Sequence, residues 1–180
     1  MIVITGNPGT GKHTIAKRLS AETGRPILDL NKVAIEAGIF EKRGSTLDVD
    51  VGKLAKLVKK TAQKDSIIVG HLAPYVVSRS QVKFAIVLRK NPYKLIPIYK
   101  KRNYTKKKIA ENVGSEILGI IAYDMAGSVG ASKVRQVDTS GSISDTMKRV
   151  RAVLKRAKGD RVDWLGMVAR RGDLARFFPA

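Results

Sequence analysis

The 180-residue chain carries 35 lysines and arginines against 15 acidic residues, a net charge of +20, with 43% hydrophobic residues and no cysteine. That length gives one domain with room for a core of ordinary apolar content, and the lack of cysteine excludes a disulfide frame and thiol chemistry. No apolar stretch approaches the roughly 20 residues needed to span a bilayer, and no secretory signal precedes the first strand, so a cytoplasmic protein with no membrane partner is expected.

In chain order, the β-branched run Met1-Ile2-Val3-Ile4-Thr5 reads as a buried strand. It runs into Gly6-Asn7-Pro8-Gly9-Thr10-Gly11-Lys12-His13-Thr14, and Ile15 to Leu19 then carries helical apolar spacing. Strand, glycine-rich loop and helix are the setting in which the pattern G-x-x-x-x-G-K-[ST] binds nucleotide phosphates. Glycines let successive backbone N–H groups curl around the phosphates, and the helix N-terminus adds partial positive charge. Lys12 is placed to reach the β- and γ-phosphates. The residue after it, normally a Mg²⁺-ligating hydroxyl, is His13, and imidazole is a poor ligand for that hard cation. Thr14 is the adjacent candidate metal ligand, although its side chain points about 100° further round the helix.

Pro26 to Leu30 is a second apolar run, and Lys32 to Gly38 a brief helix. Glu41 to Asp50 is polar and charged and reads as a mobile loop. Val51 to Lys64 has Leu54, Leu57 and Val58 at helical spacing. Ser66 to Gly70 and Phe84 to Leu88 read as buried strands, Pro92 to Arg102 and Lys106 to Gly127 as helices, Lys133 to Val137 as a last strand, and Ser144 to Ala157 as a helix. Five strands alternating with helices predict an α/β fold, a parallel sheet with helices on both faces and ligand at the carboxyl ends of the strands.

Two segments stand out by charge. From Arg89 to Lys108 there are nine basic residues and no acidic one. A run of this kind is a solvated face, a set of cations over transferring phosphate, or an RNA-binding stripe. Tyr93, Tyr99 and Tyr104 are interleaved and either stack on bases or pack internally. The basic extension 158–180 holds Trp164, Leu165, Met167, Val168, Arg170, Arg171, Leu174, Phe177 and Phe178; it reads as a helix packed back on the domain or as a partner-binding tail. The net charge itself predicts a polyanionic partner, of which RNA fits best. A generally basic proteome or a solubility adaptation gives the same charge without one.

With the loop, Gly70-His71, Val87-Leu88-Arg89, Arg102-Asn103-Tyr104 and Glu111-Asn112 in view, residues 1–157 resemble the adenylate kinase isoenzyme 6 family. Asp138-Thr139-Ser140-Gly141 resembles the adenine-side loop of adenylate kinases generally. The resemblance implies a P-loop NTPase fold with an adenylate-kinase-like lid at about 101–111 and a monophosphate region at about 31–51. It implies ATP and Mg²⁺ as cofactors, and phosphoryl transfer to AMP or another nucleoside monophosphate, or ATP hydrolysis. It further implies a role in maturation of the small ribosomal subunit, with ribosomal RNA and the platform protein S11 as partners. On this match Gly9, Thr10, Gly11, Lys12, His13 and Thr14 hold the ATP phosphates, Arg102 is the lid arginine, and His71 is the histidine of an Asp-x-His motif, so that Lys12, His71 and Arg102 are the catalytic candidates.

The departures are informative. The aspartate of Asp-x-His aligns with Val69, two expected arginines with Ile35 and Ile98, and the lid glycine with Asn103. Each charge aimed at a transferring phosphoryl matters by orders of magnitude, so weak transfer is expected. Asp29, Asp48 and Asp50 are alternative metal-side carboxylates, or simply turn residues. Three functions follow: a nucleotide kinase or ATPase; a catalytically weakened, nucleotide-dependent ribosome assembly factor; and another small-molecule kinase on the same fold, which the nucleotide-kinase-like lid and Asp-Thr-Ser-Gly segments disfavour.

Overall fold

The structure, a computed structural model, describes residues 1–43 and 46–178, the side chains of 42, 43, 46 and 47 excepted. In chain order, β1 (Ile2–Thr5) leads through the glycine-rich loop into α1 (Lys12–Thr23). Then come β2 (Ile27–Asp29), α2 (Leu30–Glu36), β3 (Phe40–Arg43), β4 (Thr46–Val49), α3 (Val51–Thr61), β5 (Ile67–Val69) and α4 (Ala73–Val76). After β6 (Phe84–Arg89) follow α5 (Pro92–Lys101), α6 (Lys106–Leu118), α7 (Ile120–Val129), a 3₁₀ turn (Ala131–Lys133) and β7 (Val134–Asp138). The chain ends with α8 (Ile143–Leu154), α9 (Trp164–Arg170) and α10 (Leu174–Phe177).

Five strands form one parallel sheet in the order β2-β5-β1-β6-β7. Alternation along each strand divides the core. Ile2, Ile4, Ile67, Val69, Ile86 and Leu88 meet Ile15, Leu19, Met147 and Val150 of α1 and α8 on one face. Val3, Ile68, Ala85 and Val87 meet Leu30, Leu54, Val58, Met125 and Val129 of α2, α3 and α7 on the other. This is the expected α/β sheet with helices on both faces. Its central crossover leaves β1 between β5 and β6, so the loop after β1 opens at the carboxyl edge of the sheet, where strand order reverses.

Two expectations are corrected. The segment Glu41 to Asp50, expected to be a loop, contains an antiparallel hairpin, with Phe40 opposite Val49 and Glu41 opposite Asp48; residues 44 and 45 lie outside the described residues. Phe40 and Val49 are half-buried while Glu41 and Asp48 are exposed, so among the described side chains one cross-strand pair faces inward and the next outward, a pattern the charged composition hides. The single helix expected over Lys106 to Gly127 is two, because Gly119 adopts φ +71° and both ends α6 and starts α7. A Cβ there would lie 3.2 Å from the Arg89 guanidinium, so close approach as well as the left-handed backbone calls for glycine.

The chain after α8 closes over the domain. Gly159 lies backbone to backbone on β7, where a Cβ would sit 2.7 Å from the Gln136 carbonyl oxygen. Asp160 N donates to that oxygen at 2.8 Å, and the Asp160 carboxylate accepts from Asp138 N at 2.8 Å. The open edge of β7 is thereby covered. Val168 of α9 is fully buried with Leu95 and Tyr99 of α5 and Val113 and Ile117 of α6, a third core cluster beside the glycine-rich loop.

Candidate active site

Each element around the loop arrives for a local reason. Thr10 donates its hydroxyl to the Asn7 carbonyl at 2.8 Å, which tightens the loop from within. Gly11, at φ +91°, precedes the first turn of α1. At Gly9, φ +83°, a Cβ would press on Leu95, Ile98 and Tyr99 of α5 at 3.1 to 3.3 Å. The glycine is therefore needed both for backbone conformation and for contact with the helix lying over it. The fully buried Tyr99 donates its hydroxyl to the Pro8 carbonyl at 2.7 Å, and its ring stacks on Tyr104 with centroids 5.5 Å apart. Burial pushes the Tyr99 phenol pKa upward, so it stays a neutral donor. Of the two roles open to it, stacking on bases or packing internally, Tyr99 takes the packing one. Tyr93 is likewise engaged, with Asp173 at its hydroxyl and Phe177 edge-on to its ring.

Lys12 is buried and donates to the Asn7 carbonyl at 2.9 Å. Desolvation, and then the Arg102 charge, lower its pKa to about 8. The lysine is therefore held without a full counter-charge, and a phosphate beside it would reverse that shift. Lys12, His13, Thr14, Asn31, His71, Arg102 and Tyr104, with the loop glycines, line a cavity of about 260 Å³. A second cavity of about 770 Å³ shares Pro8, Asn31, His71 and Tyr104 with it and extends along Ile35, Phe40, Asp48, Tyr75 and Lys108. A third, of about 200 Å³, lies on the far side of Thr14 against Lys90, Thr139 and Gly141, beside the Asp-Thr-Ser-Gly segment.

The site candidates Gly9, Gly11, Lys12, His13, Thr14, His71 and Arg102 thus surround one cavity, with Thr10 buried beneath it. His13 Nε2 lies 2.9 Å from Asp29 Oδ2, while Asp29 Oδ1 accepts from Asn31 N at 3.0 Å and starts α2. Val69, directly opposite Asp29 in the β2–β5 register, is fully buried in the α1–α8 core. Asp29 therefore places a carboxylate one strand over from the missing one. Asp50 is turned to a different task, accepting from Lys53 N at the start of α3. Ile98 packs on the loop, and Ile35 is 54% exposed on the wall of the large cavity. Among the described residues no cluster of three or more His, Cys, Asp or Glu is arranged to hold a metal unaided.

His71 is held neutral: burial, then the Lys12 and Lys108 charges, lower its pKa to about 4. Its folded pKa lies below the unfolded value, so the unfolded chain binds more protons between those two values, and stability falls as the pH drops through that window. Acidification from pH 6.5 to 4 is expected to cost the wild type up to about 3 kcal/mol more than a His71→Gln variant. Urea unfolding of both at several pH values measures this, and parallel pH curves would contradict it.

The group beneath the loop belongs to no motif of the sequence. Glu116 of α6 is fully buried and accepts from Asn7 Nδ2 at 2.8 Å, Arg89 Nε at 2.9 Å, Lys90 N at 2.9 Å and Trp164 Nε1 at 3.0 Å. Arg89 also reaches the Glu116 carbonyl at 2.6 Å and the Gln136 side chain. Arg89 is therefore an interior ion pair and not part of a basic surface. Half-buried Lys90 and exposed Lys94 donate to the carbonyls of Thr139 and Ser140 at 2.6 and 2.8 Å. The signal was a lone carboxylate between Val113 and Ile117 on an apolar helical stripe.

Comparison with known proteins agrees with this geometry. The model of the AAA domain family matches residues 2–119. A Pyrococcus furiosus protein named "Putative adenylate kinase" is 34% identical over 91% of both chains. An Archaeoglobus fulgidus protein of the same name is 33% identical over 92% of both. The chain belongs to this kinase family. In the solved structures, shikimate kinase from Aquifex aeolicus superposes with a TM-score of 0.57 at 16% identity, over 86% of this chain and 96% of that one. Shikimate kinase from Bacteroides thetaiotaomicron gives 0.53 at 15% identity, over 86% and 97%. These likenesses establish the P-loop NTPase α/β fold. Among the described residues no helix is long and apolar enough to cross a membrane.

Proposed function

We propose that the chain transfers the γ-phosphoryl group of ATP to a nucleoside monophosphate, with AMP as the acceptor. The observation that carries this is the pair of cavities meeting at Pro8, Asn31, His71 and Tyr104, one beneath the phosphate loop and one open to an acceptor. The match to adenylate kinase relatives supports the reading. In it, the loop amides and Lys12 hold the phosphates, Arg102 supplies positive charge across the cavity from the lid at about 101–111, and transfer proceeds toward the larger cavity. Neutral His71, at the junction, offers a hydrogen bond without adding a third charge.

Mg²⁺ fits this site as a nucleotide-borne ion held by phosphate oxygens and water, with Thr14 as the cavity-lining oxygen donor of the protein and Asp29 behind His13. When bound, it neutralises phosphate charge that Lys12 and Arg102 alone leave uncompensated. His13 is placed to orient Asp29 rather than to ligate. Coupled detection of ADP from ATP, with and without AMP, tests the reading. AMP-dependent ADP is expected, AMP-independent ADP marks an ATPase, and ATP binding without ADP contradicts both activities.

A second reading draws on the net charge of +20 and the isoleucines at positions 35 and 98. It is a cytoplasmic member of the isoenzyme 6 group whose nucleotide regulates assembly of the small ribosomal subunit, with rRNA and ribosomal protein S11 as partners. The exposed Lys100, Lys101, Lys106 and Lys107 support it as phosphate-contacting cations. Small-subunit rRNA is then expected to bind with an affinity falling steeply with salt. No binding at low salt would contradict this.

A further inference from the structure

We infer that α9, through Trp164, is a positioning element of the phosphate loop. This inference rests on the kinase site just proposed and deepens it. The loop is held from outside as well as from within. Asn7 is bound from α6 through both atoms of its amide: Nδ2 donates to Glu116 at 2.8 Å, and Oδ1 accepts from Ser115 Oγ at 3.1 Å. The Asn7 carbonyl in turn accepts from Lys12 Nζ at 2.9 Å and from the Thr10 hydroxyl at 2.8 Å. Asn7, held through its side chain, therefore carries the backbone carbonyl on which the phosphate lysine rests.

Glu116 can fix Asn7 only while its other oxygen is fixed too. That oxygen accepts from Arg89, Lys90 N and the Trp164 indole at 2.9 to 3.0 Å. Arg89 and Lys90 come from the end of the central strand β6, whereas Trp164 comes from a segment 48 residues beyond Glu116, outside the matched family model. Val168, one turn on, is buried against α5 and α6, which anchors the helix that presents the indole. Three consecutive hydrogen bonds thus join the last part of the chain to Lys12, all but one of them through groups more than nine-tenths buried. In a low-dielectric interior such a charged chain has one well-defined arrangement. Trp164 is also the sole tryptophan of the sequence, so its emission reports on the loop.

The test compares Trp164→Phe, which keeps an aromatic ring and deletes the donor, with Ser115→Ala, which releases the opposite side of Asn7. Affinity for ATP is measured by calorimetry, kcat and KM by ADP formation, and the thermal midpoint by calorimetric scan. Both variants are expected to raise the Kd and KM for ATP about two- to tenfold with midpoints close to wild type. In the wild type, ATP is expected to change Trp164 emission, and Asn7→Ala to suppress that change. Unchanged ATP affinity in Trp164→Phe overturns the inference, whatever Ser115→Ala or the midpoints show. So does an emission change that survives Asn7→Ala. A wild type that binds ATP with an emission change but forms no ADP defeats the kinase reading while leaving this one standing.

Discussion

Lys12→Ala is expected to lower kcat/KM for ADP formation by about 10³-fold or more while leaving the thermal midpoint at or above that of the wild type. The loss follows from position: Lys12 is a buried cation on the wall of the phosphate cavity, and a preorganised charge at a transferring phosphoryl is worth about 10²- to 10³-fold or more. The stability half follows from the lysine's strained charge. Burial and the facing Arg102 lower its pKa to about 8 from 10.5. The unfolded chain therefore binds this proton more tightly, and below pH 8 the charged lysine opposes folding. Alanine removes that opposition along with one hydrogen bond and some packing, so the terms offset. A variant that loses both activity and several degrees would show that Lys12 is a structural residue.

Glu116→Ala is expected to have the opposite profile, a large loss of stability. Arg89 and Glu116 have side-chain exposures of 5% and 0%, and removing one member of such a pair leaves a charge without compensation in the interior. The cost is about 3–5 kcal/mol, or a fall of roughly 10 °C in the midpoint for a chain of this size. Arg89 would keep only the Glu116 carbonyl and Gln136, and Asn7, Lys90 and Trp164 would each lose an acceptor. The exposed pair of Arg151 and Glu22, at 2.7 Å, is the control: its removal is expected to leave the midpoint nearly unchanged, because water replaces the partner. A Glu116→Ala midpoint as close to wild type as that of Glu22→Ala would refute the buried network as a stabilising element.

What the sequence made legible follows its local physics. The run Ile2 to Thr5, the glycine spacing and the α1 stripe announce themselves within a few residues, and so does the α/β alternation behind the sheet. The β3–β4 hairpin was hidden because its pattern is two half-buried residues, Phe40 and Val49, among charges. The break at Gly119 was hidden because apolar residues continue on both sides, as Leu118 and Ile120. Arg89 counted as one more cation in a basic run because its partner lies 27 positions away, and only the fold brings Glu116 under it. The substitutions at Ile98 and Val69 look like losses in sequence. In the fold they are packing residues, Ile98 against Gly9 and Val69 inside the sheet, while Asp29 stands behind the cavity-lining His13 and Lys108 lines the larger cavity.

The central claim is that the cavity under the loop passes a phosphoryl group to the cavity beside it. Following the γ-³²P label of ATP in the presence of AMP tests this directly. The label is expected to appear in ADP with the wild type and to stay in ATP with Lys12→Ala. Label released only as inorganic phosphate, or retained in ATP by a wild type that binds the nucleotide, would contradict it.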